Sequence, residues 1–193
     1  MTQLRAFIAL NLPQSIQDSI SKETKRLQKL LGDQIIRWVQ IHKMHLTLKF
    51  LGNIPNSHVD FLNQILTKIS DSNSAFDLQI NNIGSFPNLK LPRVIWLGVQ
   101  SSAGLTSLQK NVDEAVNNLG YEKEARKFSP HLTLGRVHGN LHPNDLQKLR
   151  DVLGNFQLGK IDPARVDSLH LYQSDLHSEG SVYTKLFSVK LKA

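Results

Sequence analysis

Over residues 4–10, 35–39, 45–51, 76–86, 93–99, 131–137, 165–172 and 182–191, apolar residues alternate with polar ones or run together with β-branched and aromatic neighbours. A period of two marks a chain with one buried face, so these stretches read as strands, about eight in all. Between them, apolar residues return every three or four positions instead. Ile16, Ile20, Leu27, Leu30 and Leu31 fall on one helical face within 13–31, and similar stripes run through 57–69, 105–119 and 144–153. Leu12-Pro13 and His142-Pro143 supply helix starts, and Gly32 and Gly120 supply stops.

This order of elements occurs twice. His45-Leu46-Thr47-Leu48 returns letter for letter as His131-Leu132-Thr133-Leu134. Each copy follows a strand and a helix, with Arg5 to Leu10 aligned on Arg93 to Gly98. Each precedes Gly-Asn (Gly52-Asn53 and Gly139-Asn140), a proline (Pro55 and Pro143), a helix, and a strand beginning at Phe76 or Phe156. Such a duplication predicts two equivalent lobes about a pseudo-two-fold axis, their matching strands facing each other across a cleft. No Pro/Gly/Ser-rich linker separates the halves, so one bilobal domain over residues 1–193 is expected.

Composition narrows the chemistry. The absence of cysteine excludes disulfides, thiolate nucleophiles and cysteine-held metals, and points to a reducing compartment, the cytoplasm. The longest apolar runs, at 7–10 and 94–97, are far shorter than the ~20 residues of a membrane-spanning helix. Met1 to Leu12 lacks the hydrophobic segment of a secretion signal, so neither membrane insertion nor export is expected. The 23 Lys and Arg against 16 Asp and Glu leave a net charge of +7, which draws phosphate-bearing partners and equally serves solubility.

Alternation along a strand puts His45 and Thr47 on one face and Leu46 and Leu48 on the other, and the second copy does the same. Two imidazoles and two hydroxyls then project between the lobes. Imidazole titrates near neutrality, so one histidine can take a proton from water while the other delivers one to a leaving oxygen. Threonine hydroxyls can hold the non-bridging oxygens of a phosphodiester. This scheme calls for no metal and no cofactor. A lone histidine in an apolar strand is most often a packed structural residue. Packing alone, however, does not require the same polar pair on matching faces of matching strands.

The two motifs, within His45-Leu46-Thr47-Leu48-Lys49-Phe50-Leu51-Gly52, Arg93-Val94-Ile95-Trp96-Leu97-Gly98 and Pro130-His131-Leu132-Thr133-Leu134-Gly135-Arg136-Val137, resemble the bacterial and archaeal RNA 2',3'-cyclic phosphodiesterases. That family, also called the 2'-5' RNA ligases, belongs to the two-histidine phosphoesterase superfamily. The resemblance implies an α+β fold of two lobes, each an antiparallel β-sheet with flanking helices, and an active site in the cleft between them. It implies metal-free hydrolysis of terminal 2',3'-cyclic phosphates on RNA ends to 2'-phosphomonoesters by a monomer acting on tRNA fragments or short oligoribonucleotides. A 2'-5' ligase reaction is the implied side activity.

By the same resemblance, His45 gives a proton to the leaving 3' oxygen, His131 takes one from water, and Thr47, Thr133 and Arg136 hold the phosphate. The residues alone do not assign the two histidine roles. Strict alternation would turn Arg136 and its counterpart Phe50 toward the core, and a bulge at Gly135 is expected to return Arg136 to the cleft. Two rival readings are a 2'-5' or small cyclic-nucleotide phosphodiesterase, and a non-catalytic module that grips RNA ends.

Other signals are declined. Gly154 to Ile161 approaches a nucleotide-binding loop, but Ile161 stands where a magnesium-holding hydroxyl is needed and the Phe156-Leu158 alternation reads as a strand. His138 and His142 read as solvated loop residues, His42 as exposed, and His170 and His177 have no partner pattern.

Overall fold

The computed structural model describes residues 3–177 and 180–193. Met1 and Thr2, at the head of the stretch read against export, lie outside them. The first half runs β1 (Gln3–Asn11), α1 (Gln14–Leu31), β2 (Ile36–Trp38), a 3-10 turn (Ile41–Lys43), β3 (His45–Pro55), α2 (His58–Asp71), β4 (Phe76–Leu78) and β5 (Ile80–Phe86). The second runs β6 (Val94–Val99), α3 (Ala103–Asn117), β7 (His131–Val137), α4 (Pro143–Asn155), β8 (Ala164–Val166), β9 (Ser168–His177) and β10 (Gly180–Lys190).

The strands form an α+β fold of antiparallel sheets ordered β10-β9-β1-β3 and β2-β7-β6-β5, with a third, two-stranded pair β4-β8. Within that pair Asp77 stands opposite Arg165. Each of these strands follows the second helix of its own half. The halves therefore meet strand to equivalent strand and antiparallel, the relation a two-fold axis imposes. The sheets also exchange strands: β2 from the first half pairs with β7, while β9 and β10 complete the sheet of β1 and β3.

Local chemistry sets the helix ends. Gly32 closes α1 at φ +77°, a conformation that favours glycine, and its N–H donates to the Gln28 carbonyl. Ser102 caps α3 by accepting from the Leu105 N–H, and Pro143 opens α4 beneath His142. The core is contiguous. Ile8, Leu10, Leu46, Leu97 and Leu132, from the neighbouring strands β1 and β3 and their counterparts β6 and β7, are wholly buried, each stabilising the fold by roughly 1.5–3 kcal/mol. Leu30, counted with the apolar stripe of α1, is instead exposed.

Four details correct the sequence reading. The single strand expected over 76–86 breaks at Gln79 into β4 and β5, which belong to different sheets. Likewise 165–172 breaks at Asp167, and β9 continues to His177. No strand begins at Phe156, and the true counterpart of β4 is β8. There the alternation misleads because side chains from α1 hold the segment: Arg26 lies over the Phe156 ring, and the Glu23 carboxylate accepts the Gly159 N–H. A carboxylate in that place takes a backbone donor that a phosphate would need and repels its charge. Finally, the register makes Leu10 the counterpart of Leu97, since these residues face Leu46 and Leu132, so the alignment of Arg5 on Arg93 is one residue out.

Candidate active site

β3 and β7 carry the two motifs and pack against each other. On β1, the partners of β3 run Asn11 to His45, Leu10 to Leu46 and Ala9 to Thr47, then skip Leu48 so that Ile8 faces Lys49. On β6, the partners of β7 run Gly98 to His131, Leu97 to Leu132 and Trp96 to Thr133, then skip Leu134 so that Ile95 faces Gly135. Both copies therefore bulge at the fourth letter of the motif. Leu48 and Lys49 are consecutive buried residues, as are Leu134 and Gly135, so the next residue returns to the histidine face. Arg136 and Phe50 stand there, both exposed. The bulge expected near Gly135 is present and has a twin in the first copy. Gly135 itself answers to β2, because a Cβ there would meet the Ile36 side chain at 2.4 Å.

The two imidazoles are held alike. Nδ1 of His45 lies 2.8 Å from the Lys43 carbonyl, and Nδ1 of His131 lies 2.8 Å from the Ser129 carbonyl. A carbonyl only accepts, so Nδ1 of each ring carries a proton and Nε2 is left for exchange. Their surroundings differ. His45 stacks on Phe7 at 4.7 Å and meets Tyr183 edge-on at 5.0 Å. Burial lowers its pKa from the ordinary value, against the opposing pull of the Lys43 carbonyl. His131 meets Phe86 edge-on at 4.8 Å and lies 6.4 Å from Trp96.

Charge is placed on both sides of the bulges. Arg37 on β2 faces Arg136 across the ladder, so two guanidiniums share the histidine face. On the opposite face the buried Lys49 ammonium donates to Asp113 of α3 at 2.6 Å and to the Glu122 carbonyl at 2.5 Å. The first bulge is thereby tied to the helix and to the segment that leads into His131. Losing one partner of such a buried pair costs roughly 3–5 kcal/mol.

The sequence profile of the 2'-5' RNA ligase superfamily matches residues 16–177. The chain belongs to the 2'-5' RNA ligase superfamily. Among curated proteins of this family, those named RNA 2',3'-cyclic phosphodiesterase from Methanothermobacter thermautotrophicus and Methanocaldococcus jannaschii are similar to it. They are 30% and 32% identical, over 95% and 93% of this chain and 97% and 96% of their own lengths. Among solved structures, E. coli LigT complexed with 3'-AMP superposes with a TM-score of 0.78 at 26% identity, covering 100% of both chains. TT0787 of Thermus thermophilus shares the fold, with a TM-score of 0.77 at 22% identity over 98% of both chains.

For this superfamily member, the strand ladders put His45, Thr47, His131, Thr133 and Arg136 on the histidine faces of two strands in contact. Sequence reasoning missed Arg37, whose place depends on β2 crossing to the other sheet, and the aromatic floor of Tyr172, Tyr183 and Phe86. No motif marks any of them. Among the declined histidines, His42, His138 and His177 are exposed, and His142 caps α4 by accepting from the Asn144 N–H. His170 is unlike these: it is 3% exposed, and neither ring nitrogen has a hydrogen-bond partner among the described residues.

Proposed function

We propose that this chain is an RNA 2',3'-cyclic phosphodiesterase, acting as a monomer and as one two-lobed domain on RNA ends such as tRNA fragments or short oligoribonucleotides. The observation that carries the reading is the repeated bulge. Two strands in contact each present an Nδ1-anchored histidine, a threonine two residues on, and a side chain swung back to the same face. An acid and a base on opposite sides of one phosphate is the arrangement that opening a cyclic diester needs.

In the proposed step, water forms a bond to phosphorus as the bond from phosphorus to the 3' oxygen breaks. His131 Nε2 takes the proton from water, and His45 Nε2 gives its proton to the 3' oxygen. Thr47, Thr133 and Arg136 hold the non-bridging oxygens, where charge gathers, and Arg37 adds a second cation. Burial disfavours the charged form of His45, and an anionic phosphate docked beside it restores that form. No metal is called for, and in 2'-5' ligation an RNA 5'-hydroxyl takes the place of water, bonding to phosphorus as the bond to the 3' oxygen breaks. Among the described residues no helix is long and apolar enough to cross a membrane.

The test is product analysis of a short RNA ending in a 2',3'-cyclic phosphate, incubated with the protein in EDTA. A 2'-phosphate product is expected. A 3'-phosphate product overturns the assignment of the broken bond, loss of turnover in EDTA overturns the metal-free scheme, and binding without turnover favours an RNA-end-binding module.

A further inference from the structure

A surface groove lies beside the histidine motif of the second sheet. Shallow and open to solvent, it has a volume of about 430 Å³ between Asn82, Gln100, Ser101, Lys127 and Phe128. Ser129 and Pro130, immediately before His131, close its wall, and the Ser129 carbonyl is the one that anchors the His131 ring. Across the ladder Asn82 faces Gly98, and Gly98 faces His131, so the three share one face in a single row. Gly98 leaves room for the Asn82 side chain, which lies across the row between the groove and His131. A Cβ there would meet the Asn82 amide oxygen at 1.7 Å and the Trp96 ring at 3.2 Å.

The two-fold-related place in the first lobe is filled by different groups. By register the counterpart of Gly98 is Asn11, opposite His45, and its side-chain oxygen accepts the Tyr172 hydroxyl at 2.6 Å. On the His131 side the corresponding row carries the Asn82 amide instead, and that amide also lines the groove. The groove's chemistry is that of a nucleotide site. The Asn82 and Gln100 amides each offer a donor and an acceptor to a base edge. Phe128 offers a ring for stacking, and Lys127 an exposed cation for a phosphodiester; among the described residues no carboxylate lines the space.

Resting on the phosphodiesterase reading above, we infer that this groove binds the nucleotide preceding the cyclic-phosphate end, and so makes the protein selective for oligoribonucleotide ends over cyclic mononucleotides. An RNA held at His131 by its terminal phosphate continues only in the 5' direction. The Asn82 amide, in one row with His131 and in the wall of the groove, is placed to meet that continuation.

The experiment compares kcat/KM on a dinucleotide and a mononucleotide 2',3'-cyclic phosphate. Wild type is expected to favour the dinucleotide by roughly tenfold or more, the contribution of one stacked base. Phe128→Ala, Asn82→Ala and Lys127→Ala should each shrink that ratio by several fold, and Lys127→Ala should also weaken its salt dependence. Asn82 and Lys127 are exposed, so those two variants keep the test independent of any folding defect in Phe128→Ala. A wild-type ratio near one, or a ratio the variants leave unchanged, overturns the second-nucleotide site alone. Turnover of neither substrate overturns the phosphodiesterase reading and this inference with it.

Discussion

In the first lobe Ala9 faces Thr47 on one side and His170 on the other; in the second the same places hold Trp96, between Thr133 and Gly84. The large ring and the small residue have changed strands. Trp96 lies over Gly84 so closely that a Cβ there would meet its ring at 2.4 Å, an aromatic side chain covering an edge-strand glycine. The motif, its bulge and its Nδ1 anchor are the same in both lobes, while the packing beneath them is not. Divergent packing also gives two identical imidazoles different surroundings. Phe7, Tyr172 and Tyr183 crowd His45, whereas Phe86 and Trp96 flank His131. Acid/base chemistry needs two histidines in opposite protonation states, and a perfect repeat would not distinguish them.

The largest expected effect tests whether the lobes act as one unit. His45→Ala and His131→Ala should each lower kcat about 100- to 10,000-fold on an RNA 2',3'-cyclic end. The double variant should be little slower than either, because both histidines serve a single step. An activated diester with a nitrophenolate leaving group separates their roles, since such a group departs without a proton. His45→Ala should recover most of its rate on that substrate and His131→Ala should not, and the reverse pattern exchanges acid and base.

Next in size is a property of the first lobe alone. His170, buried and unpartnered among the described residues, has its pKa lowered to about 4, first by desolvation and then by the Lys185 charge. Its folded-state pKa lies below the unfolded value, so between about pH 6.5 and 4 the unfolded chain binds more protons. Stability therefore rises with pH through that window and is lost as pH falls, by roughly 3 kcal/mol in full. Denaturant titrations at pH 7 and pH 4.5 should show the loss in wild type and a smaller one in His170→Leu. Equal losses in the two proteins would mean that other groups carry the acid sensitivity.

Much of this architecture is legible in the chain because the repeat spells it twice. Period-two patterning located the motif strands, and the duplicated letters implied facing histidines. Arg136 came from the family resemblance, and its place on the histidine face turned on a bulge: Gly135 hinted at one, while nothing in Leu48-Lys49 hinted at its twin. Lys49 reads as a polar position, yet it is buried because Asp113 and the Glu122 carbonyl, remote in sequence, meet its ammonium. Arg37 was invisible for a topological reason, since strand exchange between sheets leaves no local pattern. The segment after α4 failed because alternation at Phe156 and Leu158 describes side chains, whereas the Glu23 carboxylate decides where the Gly159 N–H goes.

The exchanged Trp and Gly offer a smaller effect. Gly84→Ala should destabilise the protein by about 1–3 kcal/mol through overpacking against Trp96. Pairing it with Trp96→Phe should recover part of the loss, and thermal unfolding of the single and double variants reads the difference. If Gly84→Ala is neutral, the ring is free to move and the close fit is not what holds β5 to β6.

The smallest effect concerns the protonation of His45. The pH dependence of kcat/KM reports groups of the free enzyme, and burial puts the His45 pKa below its ordinary value. If His45 is the acid, only its protonated fraction is productive, so kcat/KM falls as pH rises through that lowered pKa. Were it the base, the same group would make kcat/KM rise with pH. Tyr183 lies edge-on to the ring and excludes water from it. Tyr183→Ala should therefore relax the desolvation and move the His45 limb upward by less than about one pH unit. NMR titration of the imidazole, assigned by its disappearance in His45→Ala, follows the same shift without substrate. A limb that moves while the titration does not belongs to another group, and the burial of His45 would then owe little to the Tyr183 ring.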